Sequence, residues 1–216
     1  MDPGCRARHA VPVATEQHVP AFDLIGKRYD ESFVERDVQL AEGAWLIEQL
    51  PEHARVLDLG CGSGLPTARQ LLDAGFEVVG VDESPVMLEL AEQQAPGGTY
   101  LHQDLREFGD LGEFDAVVAF FALLMVPRDD IPPLLAAARA HLRGPKLLLV
   151  SMVHGDFDFF PINFLGAQTS VSAYPPDKLR DVVTAAGYEV LELKEVEAQA
   201  EPERIEVQLY LRARAV

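Results

Sequence analysis

One short stretch limits this chain more than any other feature: a strand-like run that ends in spaced glycines. Residues 55–64 read RVLDLGCGSG, and the helix-like segment TARQLLDAG follows two residues later. Gly60, Gly62 and Gly64 let the backbone turn sharply and let a ligand approach the main chain closely. The N-terminus of a helix behind such a loop favours a negatively charged ligand group. Strand, glycine loop and helix in that order predict an α/β chain with a ligand loop at the end of its first strand.

The rest of the sequence alternates in the same way. FEVVGVD (76–82), TYLHQD (99–104), FDAVVAFF (114–121) and PKLLLVSMV (145–153) are short apolar runs of strand length. Helical segments lie between them, one opened by Ser84-Pro85 as cap and first-turn proline, another over 129–143 ended by Gly144. A further helix over 177–186 precedes YEVLELKEVEA and RIEVQLYLRAR, which are joined by a short turn containing Pro202. A link that short forces antiparallel pairing. The expectation is a doubly wound, seven-stranded sheet, mostly parallel, with a C-terminal antiparallel hairpin. Residues 1–20 read as an arm. Phe22, Ile25, Tyr29, Phe33, Leu40, Trp45, Leu46 and Leu50 recur at roughly helical spacing, so residues 1–50 form an arm and a helical cover ahead of a sheet domain over 51–216.

Charge narrows the function. The 35 acidic side chains exceed the 18 Lys and Arg, giving a formal net charge of −17. Phosphate neutralisation and docking on an anionic membrane both need the opposite balance, so nucleic acid and membrane are not expected partners. Cys5 and Cys61 alone make neither a disulfide framework nor a four-cysteine metal site, and no metal is expected. The first twenty residues hold no apolar core of a secretory signal, and the expected location is the cytoplasm.

Acidic residues recur where a nucleoside ligand needs them. Asp82 ends the second strand, about twenty residues past the glycine loop, where a carboxylate accepts hydrogen bonds from ribose hydroxyls. Asp104 ends the third strand in HQDLREF. A dinucleotide site has a third glycine five positions after the first, and Leu65 stands there. VLDLGCGSG, GVDES (80–84), HQDLREF and FDAVVAFFALLMVP together resemble the motifs of class I S-adenosylmethionine-dependent methyltransferases, and YDESF (29–33) resembles an N-terminal segment of their small-molecule members. The resemblance spans residues 55–216 in order. It implies a Rossmann-like fold and S-adenosylmethionine as cofactor. By the same resemblance, Gly60, Cys61 and Gly62 approach the methionine portion and Tyr29 closes over its carboxylate. Asp82 binds the ribose, Ser84 or Met87 flanks the adenine, Asp104 faces the adenine amino group beside Leu105, and Phe120 offers a carbonyl to the methionine ammonium.

Departures from the family matter as well. The His pair that many small-molecule members carry after strand four is replaced by Leu124-Met125, and the Asn/Asp-Pro-Pro-Tyr motif of amino-group methyltransferases is missing. The insertion HGDFDFFPINFLGAQTSVSAY (154–174) is rich in aromatics and is expected to form an apolar lid over a small, apolar or aromatic acceptor. His154 at the fifth strand's end is the first candidate for a general base, with Tyr174 or His18 orienting the acceptor. Asp58, inside the first strand, is expected to be buried and to hold loop amides. A cyclase that only binds S-adenosylmethionine, a nicotinamide-dependent oxidoreductase and a non-catalytic binding subunit remain open at this point, as does monomer against homodimer.

Overall fold

The computed structural model describes residues 19–33, 36–107, 109–201 and 204–216. Its strands are β1 (Arg55–Leu59), β2 (Glu77–Asp82), β3 (Thr99–His102), β4 (Phe114–Phe120), β5 (Leu142–Val153), β6 (Phe157–Phe164), β7 (Ala167–Ala173), β8 (Tyr188–Glu201) and β9 (Arg204–Ala215). Seven of them form one sheet in the order β3-β2-β1-β4-β5-β9-β8. Strands β1 to β5 are parallel, whereas β9 is antiparallel to both β5 and β8. This is the doubly wound sheet with a terminal hairpin that the sequence predicts.

Alternation along the strands builds a core on each face. Leu57, Leu59, Val79, Val81, Val117 and Leu148 pack on one side, under α6 (Ile131–Ala140) and α7 (Pro176–Ala185). Val56, Val78, Ala116, Val118 and Leu149 pack on the other, under α3 (Asp37–Gln49) and α4 (Thr67–Asp73). Strand β4 is buried along its whole length, as a central strand covered on both faces must be. Strand β5 starts earlier than its apolar run suggests. Gly144, expected to end the helix, instead sits inside the irregular first part of β5 with a left-handed φ of 58°.

Two regions depart from the sequence expectation. Among the described residues the N-terminal cover is three helices, α1 (Ala21–Ile25), α2 (Arg28–Ser32) and α3, because Gly26 turns left-handed (φ 51°) and the chain leaves helical geometry again at Phe33. The aromatic insertion folds as a separate two-stranded sheet, β6 with β7, closed by Leu165 and Gly166. Arg28 donates from Nη1 to the Leu165 carbonyl at 2.8 Å, and the ring of Phe164 lies 5.8 Å from that of Phe33. Cover and hairpin thus meet as a roof over the carboxyl ends of β1 and β4. That is where strand order reverses, the position at which open α/β sheets bind ligands.

Candidate active site

The glycine loop is shaped by two demands. At Gly60 (φ 68°) a Cβ would stand 2.5 Å from the Ala122 Cβ, so no side chain fits between β1 and the segment after β4. At Gly62 (φ 52°) a Cβ would meet nothing within 4 Å, leaving the backbone open to the cavity. The Asp82 carboxylate then fixes the loop. One oxygen accepts from the Gly62 amide at 2.9 Å, and the other accepts from the Ser84 amide at 2.9 Å. The Gly62 amide therefore goes to Asp82 and the Gly60 and Cys61 amides to the Val81 carbonyl, not to Asp58 as expected from sequence. The cover reaches the same loop, since Ser63 Oγ donates to Asp30 at 2.9 Å and Asp30 also pairs with Arg36 at 2.7 Å.

Above the loop lies a cavity of about 430 Å³ lined by Tyr29, Gly60, Cys61, Gly62, Asp82, Met87, Asp104, Leu105 and Phe120, all residues singled out in the sequence. Ser84 is a correction. It is fully buried, its hydroxyl accepts from the Met87 amide at 3.1 Å to cap α5 (Pro85–Gln94), and it donates to Asp23, so it lines no cavity. Asp58 belongs in the site instead. It lines the cavity, and burial, reinforced by the charge of Asp82, pushes its pKa up to about 8. Burial also raises Asp82, against the lowering effect of its two amide donors. Asp104 goes the other way: its hydrogen bonds from Arg106 hold it below the usual carboxylate range. Burial likewise raises the Cys61 thiol, which is no nucleophile in this state.

The donor set discriminates between ligands. Its ionisable acids and bases include Asp58, Asp82, Glu83, Asp104 and Arg106, and Arg106 is bound by Asp104 at 2.5 Å. Among the described residues a pyrophosphate finds no uncommitted cation here, whereas a sulfonium with an ammonium group and ribose hydroxyls finds carboxylates. The residues fit S-adenosylmethionine.

A second cavity, of about 670 Å³, adjoins the first. Phe22, Tyr29, Gln39, Phe121, Met125 and Thr169 line both, so they form the wall between them. Burial above all raises the Tyr29 phenol, which stays neutral and able to donate a hydrogen bond. His154 lines the second cavity, its Nδ1 3.4 Å from Glu195 Oε2. Tyr174 is a correction: it lines neither cavity, its hydroxyl donates to the Arg128 carbonyl at 3.4 Å, and Arg128 stacks on its ring at 4.4 Å. Arg128 also pairs with Asp156 and donates its amide to Asp158, so both acids hold the hairpin to the sheet. His18 lies outside the described residues.

Phe121 and Gln39 were missed from sequence. Phe121 reads there as one more strand residue, but its backbone is left-handed (φ 55°) and its amide donates to Ser151 Oγ at 2.9 Å. That kink turns its ring onto the wall, edge-on to Tyr210 at 5.9 Å. Sparsely populated backbone held this way is common at ligand sites.

Comparison with known proteins agrees with this geometry. A family model described as "Methyltransferase domain" matches residues 56–144. The magnesium-protoporphyrin O-methyltransferase of Rhodobacter capsulatus is 36% identical over 95 residues, covering 41% of this chain and 42% of that protein. The trans-aconitate 2-methyltransferase of Deinococcus radiodurans is 37% identical over 123 residues, covering 54% of this chain and 45% of that protein. The magnesium protoporphyrin IX methyltransferase of Synechocystis PCC 6803, solved with bound SAH, superposes with a TM-score of 0.66 at 20% identity, over 88% of this chain and 93% of that one. The chain thus carries a match to a methyltransferase domain over residues 56–144, and these likenesses support a class I S-adenosylmethionine-dependent methyltransferase. It spans less than half the length of these two curated relatives. The first cavity is thus the candidate cofactor site, and the second, beyond the wall, the candidate acceptor site.

Proposed function

We propose that this methyltransferase transfers a methyl group from S-adenosylmethionine to an oxygen, nitrogen or carbon nucleophile of a small, apolar or aromatic molecule. One observation carries the reading: two cavities at the carboxyl ends of the strands share a single wall, so a donor in one and an acceptor in the other meet across it. When bound, S-adenosylmethionine supplies an already electrophilic sulfonium methyl. The chain's own work is then mostly positioning, which can contribute about 7–11 kcal/mol to lowering a two-reactant barrier. Asp82 and the glycine loop seat the ribose end, and Asp58, once ionised, offers a carboxylate to the cationic end. The roof of cover and hairpin excludes water. His154 accepts the acceptor's proton where one must leave: with Nδ1 turned to Glu195, its Nε2 is the nitrogen left for the substrate. An acidic surface (net charge −17) and an apolar second cavity favour a small molecule over nucleic acid.

The test counts products. The full chain, S-adenosylmethionine and a library of small aromatic and apolar nucleophiles are incubated, and S-adenosylhomocysteine is measured against methylated acceptor. One S-adenosylhomocysteine per methylated product is expected. Product without S-adenosylhomocysteine, or no S-adenosylmethionine binding by calorimetry, ends this reading.

A further inference from the structure

The wall between the two cavities differs from both of them in charge. Ionisable acids and bases line the first cavity (Asp58, Asp82, Glu83, Asp104 and Arg106) and the second (Arg36, His154 and Glu206). Among the described residues none of these lines both. The residues that do are Phe22, Tyr29, Gln39, Phe121, Met125 and Thr169. All are uncharged, since burial above all raises the Tyr29 phenol and keeps it neutral. An ionised group pressed against this wall would lose its water and gain no countercharge there.

Two wall side chains carry polar atoms that the fold itself leaves unused. Gln39, in the first turn of α3, donates from Nε2 to Thr67 Oγ1 at 2.8 Å, which leaves its Oε1 as an acceptor. Tyr29 offers its hydroxyl, and its ring is fixed by Phe33 at 5.0 Å, by Phe22 edge-on at 5.7 Å and by the Arg36 guanidinium at 5.5 Å. Among the described residues nothing bonds to Gln39 Oε1 or to the Tyr29 hydroxyl. Neither atom is sealed in, for the unpartnered buried side-chain atom among those residues is Gln103 Oε1. An acceptor of hydrogen bonds and a donor thus stand open on one wall. A hydroxyl answers both, since it donates and accepts. A methyl ether or a carboxylate only accepts and leaves Gln39 unmet. An ammonium donates to either oxygen but brings a charge that the wall does not answer.

We infer that the acceptor is an uncharged hydroxyl compound that enters hydroxyl first, with that hydroxyl held at the wall by Gln39 Oε1 and the Tyr29 phenol and its apolar body left in the second cavity. The inference rests on the reading of the second cavity as the acceptor site, and it narrows the nucleophile to a hydroxyl oxygen. Methylation there exchanges an O–H bond for an O–CH3 bond. The hydroxyl oxygen supplies the electron pair, the cofactor sulfur keeps the pair of the broken S–CH3 bond, and the proton leaves through the second cavity, where His154 stands. The methyl ether so formed has no proton left for Gln39, so the wall holds product less tightly than substrate.

The test compares matched probes on the full chain saturated with S-adenosylhomocysteine, by calorimetry. One series is 4-propylphenol, 4-propylanisole, 4-propylbenzoate and 4-propylbenzylamine, which share a body and differ at the head. A second, 2-naphthol, 2-methoxynaphthalene, 2-naphthoate and 2-naphthylmethylamine, repeats it on a larger body. In at least one series the hydroxyl probe is expected to bind about ten-fold more tightly than its ether, against their order of apolarity, and more tightly than both ionised probes. Gln39→Met should bring the hydroxyl probe to within about three-fold of the ether and leave the ether unchanged, which also shows that the variant is folded. Tyr29→Phe should weaken the hydroxyl and ether probes alike, by about five-fold, and keep their order. An ether or an ionised probe that binds as tightly as the hydroxyl probe in both series overturns the inference. So does a hydroxyl preference that survives Gln39→Met, or unchanged binding of both probes to Tyr29→Phe. Failure of the transfer reading is seen separately. A chain that ranks the probes this way but takes up no S-adenosylmethionine in its own titration loses the methyl-transfer reading and keeps its hydroxyl-selective wall.

Discussion

Two carboxyl groups in the candidate cofactor cavity do different work, and each makes a prediction. Asp82 holds the loop, since the Gly62 and Ser84 amides both donate to it, and it also lines the cavity. Asp82→Ala should weaken S-adenosylmethionine binding by about 1–3 kcal/mol, the range for hydrogen bonds to a charged group. Calorimetric titration checks it, and unchanged affinity removes Asp82 from the site. Asp58 has no hydrogen-bond partner among the described residues and a pKa pushed up to about 8. Its ionised form is the one a cationic ligand favours. The ratio of wild-type to Asp58→Asn affinity should therefore rise between pH 6 and pH 9, and the ratio cancels the ligand's own titration. The sign for stability is opposite. A folded pKa raised above the ordinary value of 3.8 favours the ligand-free fold most below about pH 4, and that contribution is lost as pH rises through 8. Asp58→Asn should flatten this part of the curve of unfolding free energy against pH.

The same scale explains what the sequence could reveal of the site. Gly60, Gly62, Asp82 and Asp104 announce themselves because each is tied to a strand end, and strand ends are readable from apolar runs. Ser84 was readable as a cap, by Pro85 after it, and that role is why it does not reach the cavity. Phe121 and Tyr174 were not readable. A left-handed backbone leaves no mark on a run of apolar residues, and Tyr174 sits among residues 154–174 while its side chain is turned into the core with Arg128.

At the scale of elements, the sheet was legible and the roof was not. The strands follow their apolar runs because one buried face dictates period two. The β6–β7 hairpin lacks the usual turn signal. Its two-residue loop is Leu165 (φ 49°) and Gly166 (φ 83°), both left-handed, a geometry for which Asn-Gly is the common sequence. Leucine in that conformation costs roughly 1–2 kcal/mol, and asparagine relieves much of it. Leu165→Asn should therefore stabilise the chain by about 0.5–1 kcal/mol in urea unfolding, less whatever contact the half-buried leucine gives up. A loss of stability would mean that packing of Leu165 outweighs its backbone strain. The cover was legible as helical but not as three helices, because Gly26 breaks the phase within an otherwise continuous apolar spacing.

At the scale of the whole molecule, the wall between the cavities gathers residues from positions 22 to 169, a spread that no local spacing encodes. The same holds for the tie between the cover and the far edge of the sheet. Glu42 on α3 is 2% exposed, yet its carboxylate accepts from Arg212 Nε at 2.6 Å, from Arg212 Nη2 at 3.0 Å and from Lys194 Nζ at 3.0 Å. Arg212 also stacks on Trp45 at 4.3 Å and pairs with Glu192 at 2.7 Å. Removing one partner of a buried pair leaves the other's charge uncompensated, which typically costs about 3–5 kcal/mol. Glu192 still answers part of the Arg212 charge, so Glu42→Ala should cost about 2–4 kcal/mol in urea unfolding. Because the pair is shielded from solvent, 0.5 M NaCl should leave that loss nearly unchanged, unlike the loss from a surface pair. The double variant Glu42→Ala with Arg212→Met should recover part of it, since the stranded charge is gone. A loss below about 1 kcal/mol, or one that salt abolishes, would show that α3 is held by its apolar face alone, through Leu46 against α4 and the sheet.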